Sequence, residues 1–364
     1  MRRRTLLLAA FAPGASAQPG PEVSKGQPER QTALRFPRDF GTHNDSGIEW
    51  WYVTGELQAA DELCGFQLTF FRSRTGLARD NPSRFAARQL LLAHAAVSDL
   101  VARRLLHAQR VARWAESDDE TLLAFASTQD TRVRVQDWSL HRGRDGSYRA
   151  RLGDRDAGFA YELQLKPTQA PLLQGDAGLS RKGPGAGDFS YYYSEPQLAV
   201  SGTLTRGTRQ QAVSGRAWLD HEWSDALLPR DAVGWDWLGM NLDDGGALTA
   251  FRLRRADGST LWAGGSHRPR NGATRNFAPA EVRFTPGRRW LSPATHASYP
   301  VQWTLDTPLG RHEVRALLDA QELDARASSG TVYWEGLSEL RDAQGRAVGR
   351  GYLEMTGYAG ALRG

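Results

Sequence analysis

The sequence has little of several features that would point to particular kinds of protein. Cys64 is the only cysteine among 364 residues, so no internal disulfide is possible. Only Lys25, Lys166 and Lys182 are lysine, and the many arginines are scattered among acids rather than gathered into a stripe that binds nucleic acid. No run approaches the roughly 18 consecutive apolar residues that span a bilayer. We therefore expect a soluble mature protein with no nucleic-acid partner and no integral membrane segment.

Several catalytic signatures are also missing. No Gly-x-Ser-x-Gly elbow supports an α/β-hydrolase triad, and there is no phosphate-binding loop. The glycine-rich stretch at residues 175–187 is interrupted by Pro184 and follows no strand–turn–helix pattern, so it is no dinucleotide fingerprint. It is either a plain connector or a mobile loop that covers a cavity mouth. We expect no cofactor and no metal, although His221, His43 and an acid together offer the side chains of a metal site.

The pattern that is present is that of a β protein. From Leu34 onward, short runs alternate apolar and polar residues, and turns such as Asp145-Gly146 and Asp257-Gly258 separate them. Residues 132–140 are predicted to form one strand, and residues 314–325 are the one stretch with ambiguous helical periodicity. Many short strands favour two antiparallel barrels or sandwiches. Cys64 lies in one of these strands and is expected to be a buried, inert thiol.

The most informative feature is an internal repeat. Residues 48–57 align with residues 233–242 without a gap, and the same register places residues 63–68 on residues 248–253. A second match joins residues 215–220 to residues 349–354. Such a long match indicates two related supersecondary units. Because His221-Glu222-Trp223 follows only the first copy, the chemistry is expected to lie there.

The N-terminus has the pattern of an export signal. Three arginines precede an apolar run and Ala15-Ser16-Ala17, which predicts cleavage after Ala17. The predicted organisation is a signal peptide (1–17), a flexible linker (18–33), an N-terminal lipocalin-like domain (34–228) and a C-terminal one (229–362). The protein is expected in the periplasm, by the general or the twin-arginine route.

The strand at residues 214–223 offers two alternative active faces. Side chains alternate along a strand, so His221 and Trp223 share one side, while Trp218, Asp220 and Glu222 share the other. We favour His221 and Trp223 as the inward face, because a histidine beside indoles carries protons near neutral pH. The alternative is that Asp220 and Glu222 face the cavity beside Trp218.

Two aromatic passages supply the predicted cavity walls and its acids. Trp50 and Tyr52 share a strand face, as do Trp235 and Trp237, and these indoles would suit an apolar, unsaturated ligand. A carboxylic acid among them would have a raised pKa and would keep its proton for transfer. The predicted catalytic residues are His221, Asp236, Glu49, Glu222 and Asp220. The predicted substrate-binding residues are His43, Trp50, Trp51, Tyr52, Tyr192, Trp218, Trp223, Trp235 and Trp237.

Five motifs in order give the chain a family resemblance. They are Asp39-Phe40-Gly41-Thr42-His43, Glu49-Trp50-Trp51-Tyr52-Val53-Thr54-Gly55, Tyr191-Tyr192-Tyr193-Ser194, Trp218-Leu219-Asp220-His221-Glu222-Trp223 and Gly234-Trp235-Asp236-Trp237. With these motifs the chain resembles the carotenoid 1,2-hydratase (hydroxyneurosporene synthase) family, and more closely its secreted lipocalin-like relatives, which are described as predicted hydrolases. The resemblance covers residues 34 to 360.

The resemblance implies two lipocalin-like barrels packed together around an aromatic cavity. The hydratases protonate a terminal isoprenoid double bond without a redox or metal cofactor, and His221 and Trp223 match the spacing of their histidine and tryptophan. Their tyrosine and acid after the Trp-Asp-Trp motif are absent from residues 247–253. The expected function is binding, and hydration or hydrolysis, of a lipophilic substrate. The alternative is a non-catalytic lipid carrier that works with an ABC transporter of the lipoprotein-release type.

Overall fold

The alternating runs of the sequence form strands, most of them in two large antiparallel sheets. A computed structural model describes residues 33–77, 80–83 and 85–362. The predicted signal peptide and nearly all of the linker lie outside these residues. From Ala33 onward the chain forms one compact unit. No helix in the described part of the chain is long and apolar enough to cross a membrane.

The first sheet contains thirteen strands in the order β4-β3-β2-β1-β13-β12-β9-β8-β7-β6-β5, with β10 and β11 paired to β12. Its edge strands β4 and β5 contact each other, so the sheet curls into a nearly closed barrel. The strands are β1 (Ile48–Ala59), β2 (Glu62–Arg74), β3 (Gln89–Asp99), β4 (Arg104–Trp114), β5 (Ala124–Ala126), β6 (Arg132–Val135), β7 (Trp138–Arg142), β8 (Tyr148–Asp154), β9 (Phe159–Lys166), β10 (Leu172–Leu173), β11 (Leu179–Arg181), β12 (Phe189–Arg206) and β13 (Arg209–Ser224).

The second sheet contains ten strands, in the order β17-β16-β15-β14-β25-β24-β22-β21-β18 with β23 paired to β24. The strands are β14 (Gly234–Leu242), β15 (Ala247–Arg254), β16 (Thr260–Arg268), β17 (Arg275–Phe277), β18 (Arg283–Pro286), β21 (Gln302–Thr307), β22 (Gly310–Ala316), β23 (Glu322–Ala325), β24 (Thr331–Arg341) and β25 (Ala347–Met355). A separate hairpin pairs β19 (Arg289–Leu291) with β20 (Ser298–Pro300). Two short 3-10 helices cover Arg38–Phe40 and Pro279–Glu281.

The all-β prediction of two lipocalin-like antiparallel units is confirmed, with two local corrections. Residues 132–140 form two strands, because Gln136 adopts a φ of 56° and turns the chain between Val135 and Trp138. Residues 314–325 form the end of β22 and all of β23 rather than a helix. Cys64 is fully buried in β2, and burial raises the pKa of its thiol to about 11.

The division of the strands agrees with the duplicated sequence. All strands of the first sheet lie between residues 48 and 224, and all of the second between 234 and 355. The predicted boundary at residue 229 falls in the connection between them. That each half folds as a domain of its own stays a prediction.

The strand ladders place the two copies in the same topology. The order β2-β1-β13-β12 in the first sheet corresponds to β15-β14-β25-β24 in the second. Tyr52 pairs with Asp220 in the first sheet, and the equivalent residues Trp237 and Glu354 pair in the second. The alignments of β1 with β14 and of β13 with β25 are therefore right.

The predicted register for the next strand is wrong by three residues. Gly55 pairs with Phe66, and its equivalent Met240 pairs with Leu248, so the counterpart of Leu248 is Phe66 rather than Leu63. The reason is hairpin length. The first hairpin continues to the pair Ala59 and Glu62 around a two-residue turn, whereas the second ladder already ends at Ala247.

Candidate functional site

A cavity of about 150 Å³ lies between the two sheets. Trp50 and Tyr52 on β1 and Trp235 and Trp237 on β14 line it. Alternation along each strand brings both members of a pair to the same side, as the sequence predicted. Trp51, which lies between Trp50 and Tyr52, points the other way into the core of the first sheet.

Six carboxylic acids line the same cavity: Asp188 and Asp225 lie in loops, and the other four lie on strands, two in each copy of the repeat. Asp220 and Glu222 come from β13, Glu335 comes from β24 and Glu354 comes from β25. The polar groups at the cavity are therefore not confined to the first copy, and the expectation that the chemistry lies there stays a prediction. The second copy keeps an acid at the position of Asp220 and adds another at Glu335.

Glu335 has the least compensated environment of the four acids on strands. It is 1% exposed, and neither carboxyl oxygen has a hydrogen-bond partner among the described residues. The Tyr52 hydroxyl lies near enough to affect the pKa of Glu335 without a hydrogen bond of normal geometry. Burial, and then the charge of Glu354, raise the pKa of Glu335 well above its usual value. The raised pKa keeps the proton on Glu335 to a higher pH than on a solvent-exposed glutamate.

Glu354 lies directly opposite Glu335 on the neighbouring strand. Its Oε2 accepts a hydrogen bond of 3.0 Å from the Trp235 indole. Burial raises the pKa of Glu354, and the charges of Asp220 and Glu222 raise it further, whereas the bond from Trp235 lowers it. The resulting pKa is about 7. The two facing carboxyls of the second sheet therefore form a proton-holding pair.

Asp220 has the opposite kind of environment. Its Oδ1 accepts hydrogen bonds from the Ser194 hydroxyl at 2.5 Å and the Trp218 indole at 2.7 Å, and its Oδ2 accepts one from the Tyr192 hydroxyl at 2.8 Å. Burial raises the pKa of Asp220 to about 7 even so. Because all three partners donate, the geometry favours an ionised carboxylate that accepts protons.

Glu222 is paired with Lys182, the only lysine that lines the cavity among the residues that the structure describes. Lys182 Nζ lies 2.8 Å from Glu222 Oε1, and it also lies 4.5 Å from the ring centre of Phe251 and 4.8 Å from that of Tyr192. Lys182 lies within the glycine-rich stretch at residues 175–187, and Gly187 at the end of this stretch lines the cavity too. The stretch therefore contributes to the cavity wall, and a mobile loop that covers the mouth stays a prediction.

The favoured active face of β13 is not the one that meets the cavity. His221 and Trp223 point into the core of the first sheet, and His221 is fully buried there. The alternative face, which carries Asp220 and Glu222, meets the second sheet. The burial pattern of this strand could not decide between them, because both faces of its last eight residues are buried.

His221 instead belongs to a polar cluster with Glu49, His43 and Arg72. Glu49 Oε1 lies 2.9 Å from His221 Nε2 and 2.8 Å from His43 Nδ1, and Glu49 Oε2 accepts a bond of 2.8 Å from Arg72. Burial alone would raise the pKa of Glu49, but His221, His43 and Arg72 hold it well below its usual range. Burial lowers the pKa of His221, while the bonds of His43 to Asp39 and Glu49 outweigh burial and raise the pKa of His43.

Asp236 is also absent from the cavity. Its Oδ2 lies 2.7 Å from Arg252 Nε and 3.1 Å from Arg254 Nε, and its Oδ1 accepts a bond of 2.9 Å from the Tyr358 hydroxyl. The predicted acids Glu49 and Asp236 thus occupy the reverse faces of β1 and β14, each bound to arginine. Neither is placed to donate a proton to a molecule in the cavity.

The remaining predicted residues divide between the two faces. Tyr192 and Trp218 lie behind the cavity wall, where they hold Asp220. His43, Trp51 and Trp223 lie with His221, since His43 stacks on Trp223 at 3.6 Å and Trp51 stacks on His221 at 4.7 Å. Glu335 and Glu354 were missed. The sequence feature that could have identified Glu335 is the similarity of Tyr333-Trp334-Glu335 to Tyr192-Tyr193-Ser194. The strand pairing places these segments at equivalent positions, because Glu335 pairs with Glu354 as Ser194 pairs with Asp220.

The cavity joins three properties that suit acid chemistry on an apolar molecule. Its walls are aromatic, one carboxyl has a raised pKa and no hydrogen-bond partner among the described residues, and another carboxyl accepts hydrogen bonds from three donors. When the environments of two neighbouring acids give them different proton affinities, one can act as a general acid and the other as a general base. Among the described residues, no histidine or cysteine lines this cavity.

Fold and site together define a lipocalin-like protein of two packed sheets with an apolar, carboxyl-lined cavity between them. The family model described as AttH-like matches residues 27–358, and the chain belongs to this family. A crystal structure from Nitrosomonas europaea assigned to AttH is 46% identical, with a TM-score of 0.82 over 90% of this chain and 97% of that one.

A second solved structure shares the fold at low sequence identity. Kievitone hydratase from Nectria haematococca is 15% identical, with a TM-score of 0.64 over 90% of this chain and 94% of that one. At this identity the similarity concerns the fold alone. No curated protein matches the sequence significantly.

Proposed function

We propose that the protein catalyses the addition of water to a carbon–carbon double bond of a lipophilic substrate, or the reverse loss of water. The observation that carries this proposal is Glu335, a buried carboxyl that faces an aromatic cavity without a hydrogen-bond partner. An unpaired buried polar group costs stability, so its presence at a cavity favours a functional role. A protonated carboxyl in an apolar site is a suitable general acid.

The proposed reaction needs only protons and water. Glu335 gives its proton to one carbon of the double bond, whose π electrons form the new C–H bond, and a carbocation is left on the other carbon. Trp50, Trp235 and Trp237 stabilise this cation through their ring faces. A water molecule attacks the cation, and its surplus proton passes to the Asp220 carboxylate. Proton exchange between the acids and solvent restores the starting state, and dehydration follows the same steps in reverse.

The size of the cavity limits the part of the substrate that it encloses. A cavity of 150 Å³ holds a molecule about the size of benzene. We therefore infer that one end of the substrate enters, such as a terminal isoprene unit or a single ring. The remainder leaves past residues 224–229, which line the cavity in the connection between the sheets. This is the type of substrate implied by the resemblance to the carotenoid 1,2-hydratases; a carotenoid itself stays a prediction.

The test uses a panel of acyclic isoprenoids and other unsaturated lipids, with a set of lipid esters for the hydrolysis alternative. Incubation in ¹⁸O-labelled water should give products that contain one labelled hydroxyl. Glu335→Gln should reduce turnover by about 10²- to 10⁴-fold, as expected on loss of a general acid, and Asp220→Asn should reduce it similarly. Glu339→Gln is the matched control, because Glu339 is buried on the same strand, is bonded to Arg341 and lies outside the cavity.

An independent measurement tests the protonation state without a known substrate. Infrared difference spectra at pH 7 should contain the C=O stretch of a protonated carboxyl, which Glu335→Gln removes and Glu339→Gln retains. Full turnover by Glu335→Gln, or no difference between the spectra, would refute the role of Glu335.

A non-catalytic lipid carrier is the second candidate, favoured by the same enclosed apolar cavity. Native mass spectrometry of protein from its own host should then find an intact bound lipid, and the protein should not convert an added unsaturated lipid.

We also propose that the protein is exported to the periplasm and works with an ABC transporter of the lipoprotein-release type. The predicted leader supports the first part of this proposal, and the family resemblance supports the second. Cell fractionation tests the first of these, and cross-linking in the periplasm tests the second.

A further inference from the structure

The first sheet encloses a second polar cluster that the proposed reaction does not use. Its centre is Glu49 Oε1, which lies 2.8 Å from His43 Nδ1 and 2.9 Å from His221 Nε2. All three atoms lie within 4.8 Å of one another. Two imidazole nitrogens and one carboxylate oxygen are a ligand set that Zn²⁺ takes in proteins. They come from three separate segments, namely the loop after Arg38–Phe40, β1 and β13.

The other polar atom of each group is held by a partner outside the centre. His43 Nε2 lies 3.1 Å from Asp39 Oδ1, and His221 Nδ1 lies 3.1 Å from the Tyr193 hydroxyl. Glu49 Oε2 accepts bonds from the Thr42 hydroxyl at 2.6 Å and from Arg72. Outer partners of this kind orient metal ligands and fix which imidazole nitrogen faces the ion.

Aromatic stacking fixes both imidazole planes. His43 lies 3.6 Å from the Trp223 ring at an interplanar angle of 7°, and His221 lies 4.7 Å from Trp51 at 21°. Glu49 and His221 are fully buried, while His43 is 10% exposed and gives the cluster a side that faces solvent. The ligands are therefore held in place, and an ion has a route to them.

The charges of the cluster also suit a cation. Asp39 and Glu49 contribute two negative charges, and Arg72 contributes one positive charge. With both imidazoles neutral, the group carries one net negative charge in a largely water-excluded place. As the cluster stands, both imidazoles donate an N–H to Glu49 Oε1. A divalent ion takes the place of these two protons when each neutral imidazole carries its proton on the other nitrogen, His43 Nε2 toward Asp39 and His221 Nδ1 toward the Tyr193 hydroxyl.

We propose that His43 Nδ1, His221 Nε2 and Glu49 Oε1 bind one divalent transition-metal ion of the zinc class, with the fourth position open to water beside His43. The site lies on the reverse face of β13 from Asp220 and Glu222. It would tie the loop at residues 41–47 to β1 and β13, and so fix the strand that carries two acids of the cavity.

The experiment measures metal directly in the full-length chain. The protein is stripped with a chelator, dialysed, and titrated with Zn²⁺ and with Co²⁺. We expect one bound equivalent by elemental analysis, the visible d–d absorption of four-coordinate Co²⁺, and a higher Tm in the loaded protein. No retained metal and no Co²⁺ absorption in a folded protein would overturn the proposal and leave a hydrogen-bonded cluster only.

Two variants keep the test decisive if changes at the buried ligands prevent folding. His43→Gln removes the most exposed ligand and should abolish the Co²⁺ absorption, and Asp39→Asn should weaken Zn²⁺ binding about 10- to 100-fold. His141→Gln, at an exposed position on β7, is the control and should bind as the unaltered protein does. Unchanged binding by His43→Gln would overturn the proposal. Glu335→Gln should retain the metal, so failure of the hydratase proposal is distinguishable from failure of this one.

Discussion

The rings of Tyr52 and Trp237 meet edge to face, with their centroids 5.4 Å apart and their planes at 87°. The two residues hold equivalent positions in the two copies, since each pairs across its ladder with an acid, Asp220 or Glu354. Because equivalent residues are in contact, each sheet packs against the other through the face that corresponds to its partner's. The cavity therefore receives aromatic and acidic groups from both copies, and the copies differ in how each acid is bonded.

Turnover is expected to fall at alkaline pH, because the proposed donor acts in its protonated form. The pKa of Glu354 is about 7 and that of Glu335 is raised well above its usual value, while Asp220 and Glu222 add negative charge on the facing wall. The Asp220 carboxylate, whose pKa is about 7, must be ionised to accept its proton, so kcat/KM should rise with pH until Asp220 ionises and fall at higher pH as Glu335 loses its proton. The measurement is a profile of kcat/KM against pH in the unaltered protein and in Glu354→Gln. A profile with no decrease on the alkaline side would contradict the assignment of Glu335.

Removal of the unpaired acid should stabilise the fold while it destroys activity. Glu335→Leu replaces a buried carboxyl that lacks a hydrogen-bond partner, and we expect a gain of about 1 to 3 kcal/mol in the free energy of unfolding. Urea denaturation at neutral pH measures it. Glu339→Leu should instead lose stability, because Glu339 accepts a bond of 2.6 Å from Arg341. A Glu335→Leu protein that is less stable than the unaltered one would mean that the carboxyl has a partner in solution.

Shortening one aromatic wall should slow the chemical step. Trp50→Leu keeps an apolar lining but removes a ring face from beside the proposed cation. The loss of about 0.5 to 2 kcal/mol of cation stabilisation corresponds to a decrease in kcat of roughly 2- to 30-fold. Trp290→Leu, outside the cavity, is the control. An effect on KM alone would show that Trp50 binds the substrate without stabilising a charge.

His94 should make the fold sensitive to acid. Its Nδ1 lies 2.8 Å from the Tyr333 hydroxyl and its Nε2 lies 2.8 Å from the Ser328 hydroxyl, across the contact between the sheets. Burial, and then the neighbouring His107, lower the pKa of His94 to about 4. In the unfolded chain the His94 imidazole has its ordinary pKa of about 6.5, so it binds a proton more tightly than in the folded protein. His94 therefore contributes stability above about pH 6.5, and this contribution is lost as the pH falls toward 4.

The variant that tests this is His94→Gln, which cannot titrate. The unfolding free energy of the unaltered protein should fall between pH 6.5 and 4 by roughly 3 kcal/mol more than that of the variant. Urea denaturation at both pH values measures the difference. His141→Gln serves as the exposed control, and equal pH dependence in all three proteins would contradict the prediction.

Part of the site could be predicted because strand geometry is local. A period of two residues is enough to place Trp50 with Tyr52 and Trp235 with Trp237, and the repeat is enough to predict two related sheets. It also matched Asp220 to Glu354, although Glu354 was not recognised as a site residue. Glu335 was missed because β24 lies outside the aligned passages, and because serine stands at its counterpart, Ser194.

The sequence by itself determined which side chains share a face, that the chain is duplicated, and that carboxyl and indole groups lie close together along it. Only the tertiary structure decided which face of β13 meets the second sheet. Both faces of that strand are buried, one in the core of its own sheet and the other against the second sheet, so apolar patterning is the same on either side. The choice depends on how the two sheets pack against each other, and this separates Asp220 at the cavity from His221 in the core.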